Sequence, residues 1–204
     1  MLAGATRPLA RERTFGSLEG RAWRGALSGS PDNCGCGVRT RGFQLWIALP
    51  PEQELGGSES IYQAPEDIHR DGPARILLGS YGSASSAIKA PSPINYLAVS
   101  LKAGERWRYQ PPAGHTVLWV GLGMGSVLVP DEIQEGELIA FHPSNDGIEF
   151  EAQTDSEFVL GSAVPHDYEL VLGSHSVHTN VEALREAQSR IATIEARLHQ
   201  EGRL

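Results

Sequence analysis

Short stretches of alternating apolar and polar residues recur along this chain from residue 75 onward, and each is closed by a turn signal. In residues 106–110, for example, Trp107 and Tyr109 share one face of the predicted strand while polar side chains take the other. Strands at this spacing are typical of a sandwich or barrel and not of alternating β/α units. We therefore predict an all-β jelly-roll barrel, with strands at residues 75–78, 93–101, 106–110, 116–120, 126–129, 138–141, 148–152 and 158–163. The glycine-rich residues 121–125 predict a hairpin turn between two of them.

A further strand is predicted at residues 43–49, ahead of the regular series. Phe43, Leu45, Ile47 and Leu49 occupy alternate positions, so they would form one apolar face. A glycine precedes this stretch, and a Pro-Pro pair follows it and begins a linker.

The C-terminal residues change to a helical period. Residues 179–182, Thr-Asn-Val-Glu, predict a capping box in which the Thr179 hydroxyl bonds the amide of Glu182. Steps of three and four residues then place one apolar seam on a helix of about five turns that ends near Gly202. The seam consists of Leu184, Ala187, Ile191, Ile194 and Leu198. It could pair with another helix, but we expect it to pack on its own barrel.

Charge divides the chain into two unequal parts. Residues 1–42 carry seven arginines and three acidic residues, a net charge of +4, whereas the remainder carries ten basic and 22 acidic residues, a net charge of −12. An acidic body repels phosphate groups, so we expect neither nucleic acid nor membrane as its partner. Residues 1–41 show no clear periodicity and predict a poorly ordered or loosely docked basic arm.

The length of the apolar runs and the spacing of the two cysteines bear on the compartment and the redox state of the protein. No apolar run approaches the ~18 residues of a membrane-spanning helix, and the N-terminus lacks the apolar core of a signal peptide. We therefore expect a cytoplasmic protein. Cys34 and Cys36 are separated only by Gly35, which is too short for an easy disulfide and gives half of a zinc site at best, so we expect two free thiols.

Four stretches carry a family resemblance. They are the segment Gly-Phe-Gln-Leu-Trp-Ile-Ala-Leu-Pro at residues 42–50, residues 91–104, the Pro-Ala-Gly-His turn at residues 112–115, and residues 172–180 before the helix. In this order they resemble the pirin family, a branch of the cupin superfamily. The resemblance implies a cupin-type double-stranded β-helix barrel with a C-terminal helix.

Pirins contain two cupin barrels in tandem, and the resemblance implies that this chain holds the second. We accordingly expect four parts: a basic arm or vestigial first cupin at 1–41, an interdomain strand and linker at 42–70, a cupin barrel at 71–173, and a C-terminal helix at 174–204. Residues 1–41 could also be coding sequence read out of frame.

The resemblance also bears on metal and catalysis. In the family, one iron lies in the first barrel, and its His and Glu ligands precede the strand that matches residues 43–49. Residues 1–42 contain no histidine, so no ligand can be carried over. We expect no metal, no other cofactor and no catalytic residue, because a mononuclear iron site needs about three or four converging His or carboxylate ligands.

Several single residues remain candidates for a site. His142 is a weak candidate for a metal ligand. Trp107, Tyr109 and Trp119 could line a pocket for a small aromatic ligand. Of the remaining candidates, His175 and His178 precede the helix and predict capping or packing, and Glu149 and Glu151 predict a solvated acidic face.

Two functions stay open at this stage. The first is a non-catalytic binding or structural module with one metal-free cupin barrel. The alternative is an iron-dependent enzyme resembling quercetin 2,3-dioxygenase, an activity that some pirins have. A homo-oligomer or a protein partner would form through residues 43–49 or through the C-terminal helix, because a barrel without its tandem partner exposes apolar strand surface.

Overall fold

The computed structural model describes residues 8–13, 42–174 and 176–204. Within these ranges the chain forms short strands, one 3-10 turn at Pro65–Asp67 and one α-helix, α1, at Val181–Gln200. The strands are β1 Pro8–Arg13, β2 Arg70–Asp71, β3 Ala74–Leu78, β4 Ser80–Tyr81, β5 Ala84–Ser85, β6 Ile94–Leu101, β7 Arg106–Tyr109, β8 Val117–Met124, β9 Ser126–Val129, β10 Asp131–Gln134, β11 Glu137–Phe141, β12 Ile148–Ala152, β13 Ser156–Ala163, β14 Val171–Leu172 and β15 Val177–His178.

Two antiparallel sheets form the body of the protein. The larger sheet has the strand order β1-β11-β8-β13-β6-β3-β2, and the smaller has the order β10-β9-β12-β7. Two hairpins, β4–β5 and β14–β15, lie outside these sheets. The order confirms the expected all-β architecture, since strands distant in sequence pair with one another and residues 70–163 contain no helix.

The core lies between the two sheets and is built by alternation. On β6 the residues Leu97, Val99 and Leu101 are buried, and they face residues of the smaller sheet in one continuous apolar cluster. Successive side chains of a strand point to opposite faces, so the alternation in the sequence decides which face is buried. The predicted strands at 93–101, 106–110 and 148–152 agree with β6, β7 and β12 to within one residue at each end.

The glycine-rich residues 121–125 are not a hairpin loop, contrary to expectation. β8 continues through Met124, and only Gly125, with φ +86°, makes the turn into β9. The glycines inside β8 leave room for a ring: a Cβ atom at Gly123 would lie 2.9 Å from Phe43 Cζ. They therefore mark a close approach of a side chain and not a turn.

The strand predicted at residues 43–49 is absent. Residues 42–50 have no strand assignment, and the predicted apolar face is only half covered: Leu45 and Ile47 are partly buried, whereas Phe43 and Leu49 are exposed. The segment lies on the body through side chains, with the Phe43 ring over β8, and it joins no sheet ladder. A strand also needs a neighbouring strand whose backbone groups are free to form hydrogen bonds, and apolar alternation does not provide one.

A strand also occurs where none was expected. Pro8–Arg13 forms β1, which pairs antiparallel with β11 at the edge of the larger sheet. Residues 1–41 are expected to be poorly ordered or a loosely docked arm, and these six residues are docked as a strand, which leaves no periodic trace in so short a segment. The remainder of residues 1–41 lies outside the described residues, as do Cys34 and Cys36, and the proposed domain boundaries stay a prediction.

Helix α1 begins one residue later than the capping box implies. Asn180 is the N-cap, and its Oδ1 accepts a hydrogen bond from the Ala183 amide at 2.8 Å. The Thr179 hydroxyl instead donates to Glu54, so the predicted box is wrong. The helix ends at Gln200, close to the predicted Gly202, whose φ is +65°.

α1 contacts the body through its first half. Ala183 is buried and the β14–β15 hairpin lies beside the first turns, but Ile191 and Ile194 are exposed. The expected packing of the whole seam on the barrel is therefore wrong for its distal part. In the part of the chain that the structure describes, neither α1 nor any other helix is both long and apolar enough to cross a membrane.

Candidate functional site

Aromatic side chains fill the barrel interior where the neighbouring strands β7 and β12 face β13. The ring centroid of Trp107 lies 5.4 Å from that of Phe150 and 6.2 Å from that of Phe158. Tyr81 closes this group, because its hydroxyl accepts a hydrogen bond from Trp107 Nε1 at 2.9 Å. Trp107 and Tyr109 are 8% and 0% exposed, so both rings are part of the core. Burying rings of this size stabilises the fold by about 1.5–3 kcal/mol each.

A chain of polar side chains runs through one end of this interior. Asn95 and Ser162 face each other in the β6–β13 ladder, and both are buried. The Tyr109 hydroxyl joins them: it accepts from Asn95 Nδ2 at 3.2 Å and lies 2.7 Å from Ser162 Oγ. Ser162 Oγ in turn lies 2.9 Å from Nδ1 of His115. One arrangement of protons satisfies all three contacts: Asn95 donates to Tyr109, Tyr109 donates to Ser162, and Ser162 donates to His115.

Both titratable members of this chain are neutral near pH 7. Burial raises the pKa of the Tyr109 hydroxyl, although its hydrogen bonds with Ser162 and Asn95 act in the opposite direction. Burial lowers the pKa of His115, and a hydrogen bond to the Ser162 backbone offsets only part of that effect. The arrangement is a satisfied polar network in the core. Sequence analysis missed it, although a polar residue at an apolar position of a strand, as at 95 and 162, is its signal.

Trp119 lies on the other side of the larger sheet. It alternates with the buried core residues Leu118 and Val120 on β8, so its side chain points away from the barrel interior. Its ring packs on Tyr96 at 5.7 Å and covers Gly161. Trp107 and Tyr109 therefore lie together, whereas Trp119 cannot line the same interior pocket. A pocket for a small aromatic ligand between Trp107 and Tyr109 stays a prediction.

The histidines of the described residues are dispersed. His142 is exposed just beyond β11, His69 Nδ1 lies 2.6 Å from a backbone oxygen of Ser85, and His166 stacks on Tyr168 at 4.3 Å. Across residues 42–174 and 176–204, no three His, Cys, Asp or Glu side chains come close enough to hold one metal ion. The donors that an iron site requires are thus not assembled here, and His175 lies outside the described residues. The absence of a metal from the protein stays a prediction.

A buried carboxylate joins the linker to the start of the helix. Glu54 accepts hydrogen bonds from the Thr179 hydroxyl at 2.5 Å and the Thr179 amide at 2.9 Å, and His178 Nδ1 lies 3.1 Å away. Burial raises the pKa of Glu54, but the bonds from Thr179 and the neighbouring His178 outweigh it, and the net pKa is below its usual value. His178 therefore packs and pairs at the helix junction.

The two carboxylates proposed as an acidic face are paired across the smaller sheet. Arg106 lies 2.8 Å from Glu151, and Arg108 lies 3.2 Å from Glu149, in the β7–β12 register. Each carboxylate thus has a cross-strand arginine, and the four side chains form an exposed ladder. Such exposed pairs are worth less than about 1 kcal/mol each, and they leave no pair of carboxylates for acid–base chemistry.

A shallow apolar hollow of about 390 Å³ lies beside the linker. Trp46, Ile47 and Ala48 line it from one side, and the β14–β15 hairpin lines it from the other through Leu172 and Val177. Trp46 is 57% exposed and Leu172 is 75% exposed. Residues 43–49 thus present apolar surface, as expected, but association through that surface stays a prediction.

Comparison with known proteins shows what the sequence and the fold of this chain are similar to. The sequence is similar to a Pseudomonas aeruginosa protein with the provisional name quercetin 2,3-dioxygenase, with 29% identity over 135 residues that cover 63% of this chain and 47% of that protein. No family model matches the chain. A crystal structure of quercetin 2,3-dioxygenase from Acinetobacter baumannii superimposes with a TM-score of 0.62 at 22% identity, over 71% of this chain and 53% of the other.

This is a cupin fold. A second crystal structure of quercetin 2,3-dioxygenase from A. baumannii agrees, with a TM-score of 0.51 at 15% identity over 62% of this chain and 43% of the other. At these identities the solved structures support the fold alone. This chain spans about half the length of the relatives that it matches. The expected cupin-type fold is confirmed, and the relation to pirins stays a prediction.

Proposed function

We propose that this chain is a pirin-like cupin module that corresponds to the second barrel of that family and acts through binding or structure, without metal catalysis. The observation that supports this most directly is the content of the barrel interior. The strand where a cupin's first metal ligands would lie carries Trp107 and Tyr109, and both are buried in aromatic packing.

The polar network at the end of the barrel fits a structural role. Tyr109, Ser162 and Asn95 satisfy one another's hydrogen bonds, and His115 takes the remaining contact of Ser162. A nucleophile or general base needs access to a substrate, and Ser162 is only 1% exposed. The network therefore supports rigid positioning of the strands around it.

A second candidate is an iron-dependent enzyme of the quercetin 2,3-dioxygenase type. The observation that favours it is the sequence relation to the P. aeruginosa protein of that provisional name. Because this chain spans about half of that relative, the activity of the whole protein is carried over only as a proposal. We also propose a cytoplasmic location, as expected from the sequence.

Metal content and oxygen uptake separate the two candidates. We expect the purified full-length chain to contain far less than one iron per chain after growth in iron-supplemented medium, and to consume no oxygen with quercetin. The quercetin 2,3-dioxygenase of A. baumannii, prepared in parallel, is the positive control.

A matched variant guards against adventitious metal. His142→Ala removes the exposed histidine that sequence analysis favoured, and we expect it to leave the residual metal content unchanged. One iron per chain together with quercetin-dependent oxygen uptake would refute the proposed non-catalytic role and establish the enzyme.

A further inference from the structure

The apolar seam of α1 is covered by the body only at its start. Leu184 and Ala187, the first two residues of the seam, are partly buried. Further along, Ile191 is 53% exposed and Ile194 is 47% exposed, whereas Leu198 is partly buried. The distal seam, defined as Ile191, Ile194 and Leu198, therefore continues the same face of the helix beyond the edge of the body.

Arg190 marks the point where the helix leaves the body. Its Nη1 donates to the backbone oxygen of Leu55 at 2.6 Å. Among the described residues, no later residue of α1 forms a hydrogen bond to the body, since the remaining bonds stay within the helix and its C-terminal turn. Residues 191–200 thus project by about 15 Å at the usual rise of 1.5 Å per residue.

Charge makes this projecting helix the part of the molecule best suited to meet a second copy. Residues 43–180 carry six basic and 18 acidic side chains, a net charge of −12, whereas residues 181–204 carry four arginines and four glutamates, a net charge of zero. Two bodies repel each other, and two helices do not.

We propose that two copies of this chain pair through the distal seam of α1 in an antiparallel arrangement, with Ile194 of each copy packed against Leu198 of the other. The steps of three and four residues between the apolar positions are those with which two helices interlock. A two-fold pair uses the same patch twice, so a self-complementary seam suffices.

The position of the body determines the orientation. Each body covers the proximal seam of its own helix, so a parallel pair would force two acidic bodies into the space between the helices. An antiparallel pair places them at opposite ends of the projecting residues 191–200, about 15 Å apart, beyond the ~8 Å over which charges act at physiological salt. The buried area is at the low end for specific contacts, so the dimer should dissociate on dilution through the micromolar range. This pairing is independent of the metal question.

Sedimentation of the full chain over a concentration series tests whether the distal seam forms the dimer contact. We expect a concentration-dependent dimer that Ile194→Asp converts to a monomer at every concentration. Thr193→Asp, on the opposite side of the same helix turn, is the matched control and should leave the dimer intact. Circular dichroism and the urea midpoint establish that both variants fold.

Three results would overturn the proposal. They are a wild-type monomer throughout the series, a dimer that survives Ile194→Asp, and a dimer that Trp46→Asp abolishes while Ile194→Asp does not. The last would assign the contact to the apolar hollow at residues 46–48.

Disulfide trapping tests the orientation. In a background where Cys34 and Cys36 are replaced by serine, the antiparallel pair places residue 191 of one copy near residue 201 of the other. We expect a mixture of Ile191→Cys and Glu201→Cys chains to form a mixed disulfide on oxidation, and Ile191→Cys alone to remain unlinked. Efficient self-linkage of Ile191→Cys would indicate a parallel pair and refute the arrangement.

Discussion

At the scale of single residues, glycines determine how the outer face of the larger sheet is packed, because they have no side chain. A Cβ atom at Gly161 would lie 2.3 Å from Cε2 of Trp119, and one at Gly123 would lie 2.9 Å from Cζ of Phe43. Each glycine thus provides the space that an aromatic ring occupies. Rings packed in this way cover backbone that would otherwise face solvent.

Adding one methyl group at Gly161 should therefore destabilise the protein. We expect Gly161→Ala to lower the free energy of unfolding by about 1–3 kcal/mol, the usual cost of overpacking, because the Trp119 indole has to move. Urea unfolding followed by tryptophan fluorescence measures this. Gly57→Ala is the matched control, since a Cβ atom there meets nothing within 4 Å. Equal urea midpoints for the two variants would contradict the packing described here.

At the scale of elements, the start of α1 shows two hydrogen-bonding side chains with separate tasks. Asn180 caps the helix through the Ala183 amide, whereas Thr179 holds the linker through Glu54. A local sequence pattern assigns the cap to Thr179, because Thr at the first position and Glu at the fourth form a good capping box. The buried Glu54 competes for the hydroxyl, and a charged acceptor makes the stronger bond.

The two tasks can be separated by a double-mutant cycle. We expect Asn180→Ala to cost about 1 kcal/mol, as for other N-cap losses, and to couple only weakly with Glu54→Gln, because Asn180 Nδ2 reaches Glu54 only through the Thr179 hydroxyl, at 3.2 Å. Thr179→Ala should couple with Glu54→Gln by about 0.5–3 kcal/mol, as for residues in direct contact. Urea unfolding of the wild type and of the single and double variants provides the free energies for both cycles. If Thr179→Ala coupled with Glu182→Ala instead, the capping box would be present and the role given to Glu54 would be contradicted.

At the scale of the whole molecule, buried titratable groups link folding to pH. Burial holds the pKa of His115 below its ordinary value, and the Thr179 and His178 contacts hold the pKa of Glu54 below its own despite burial. In both cases the unfolded chain binds a proton more readily than the folded chain. The stability that each group contributes is present above its unfolded pKa and is lost as the pH falls through the folded value.

The urea midpoint should therefore fall in two stages as the pH is lowered. The first stage begins below about pH 6.5, where unfolded histidine takes up a proton, and the second begins below about pH 4.3, where unfolded glutamate does so. We expect His115→Gln to remove the first stage and Glu54→Gln to remove the second. A wild-type midpoint that stays constant from pH 7 to pH 5 would show that His115 is not held neutral by burial.

Particular strands and side chains show which parts of the structure could be predicted from the sequence. Residues 148–152 and 106–110 are correct because period-two alternation is a local property and the barrel simply buries the apolar face. The β4–β5 and β14–β15 hairpins were missed, since strands of two residues carry too little pattern, and β10 was missed because Ile133 is its one apolar residue. Trp107 and Tyr109 were correctly grouped, but the distant partner strands that place Trp119 on the opposite face were invisible in the sequence.

By itself, the sequence determined the fold class, most strands and the seam of the C-terminal helix, because each depends on the spacing of apolar residues along a few turns or strand positions. The tertiary structure alone decided that residues 43–49 join no sheet, that Pro8–Arg13 pairs with β11, and that Glu54 takes the Thr179 hydroxyl. These outcomes depend on groups far apart in the chain competing for one hydrogen bond or one edge, and that competition is settled only when the barrel closes.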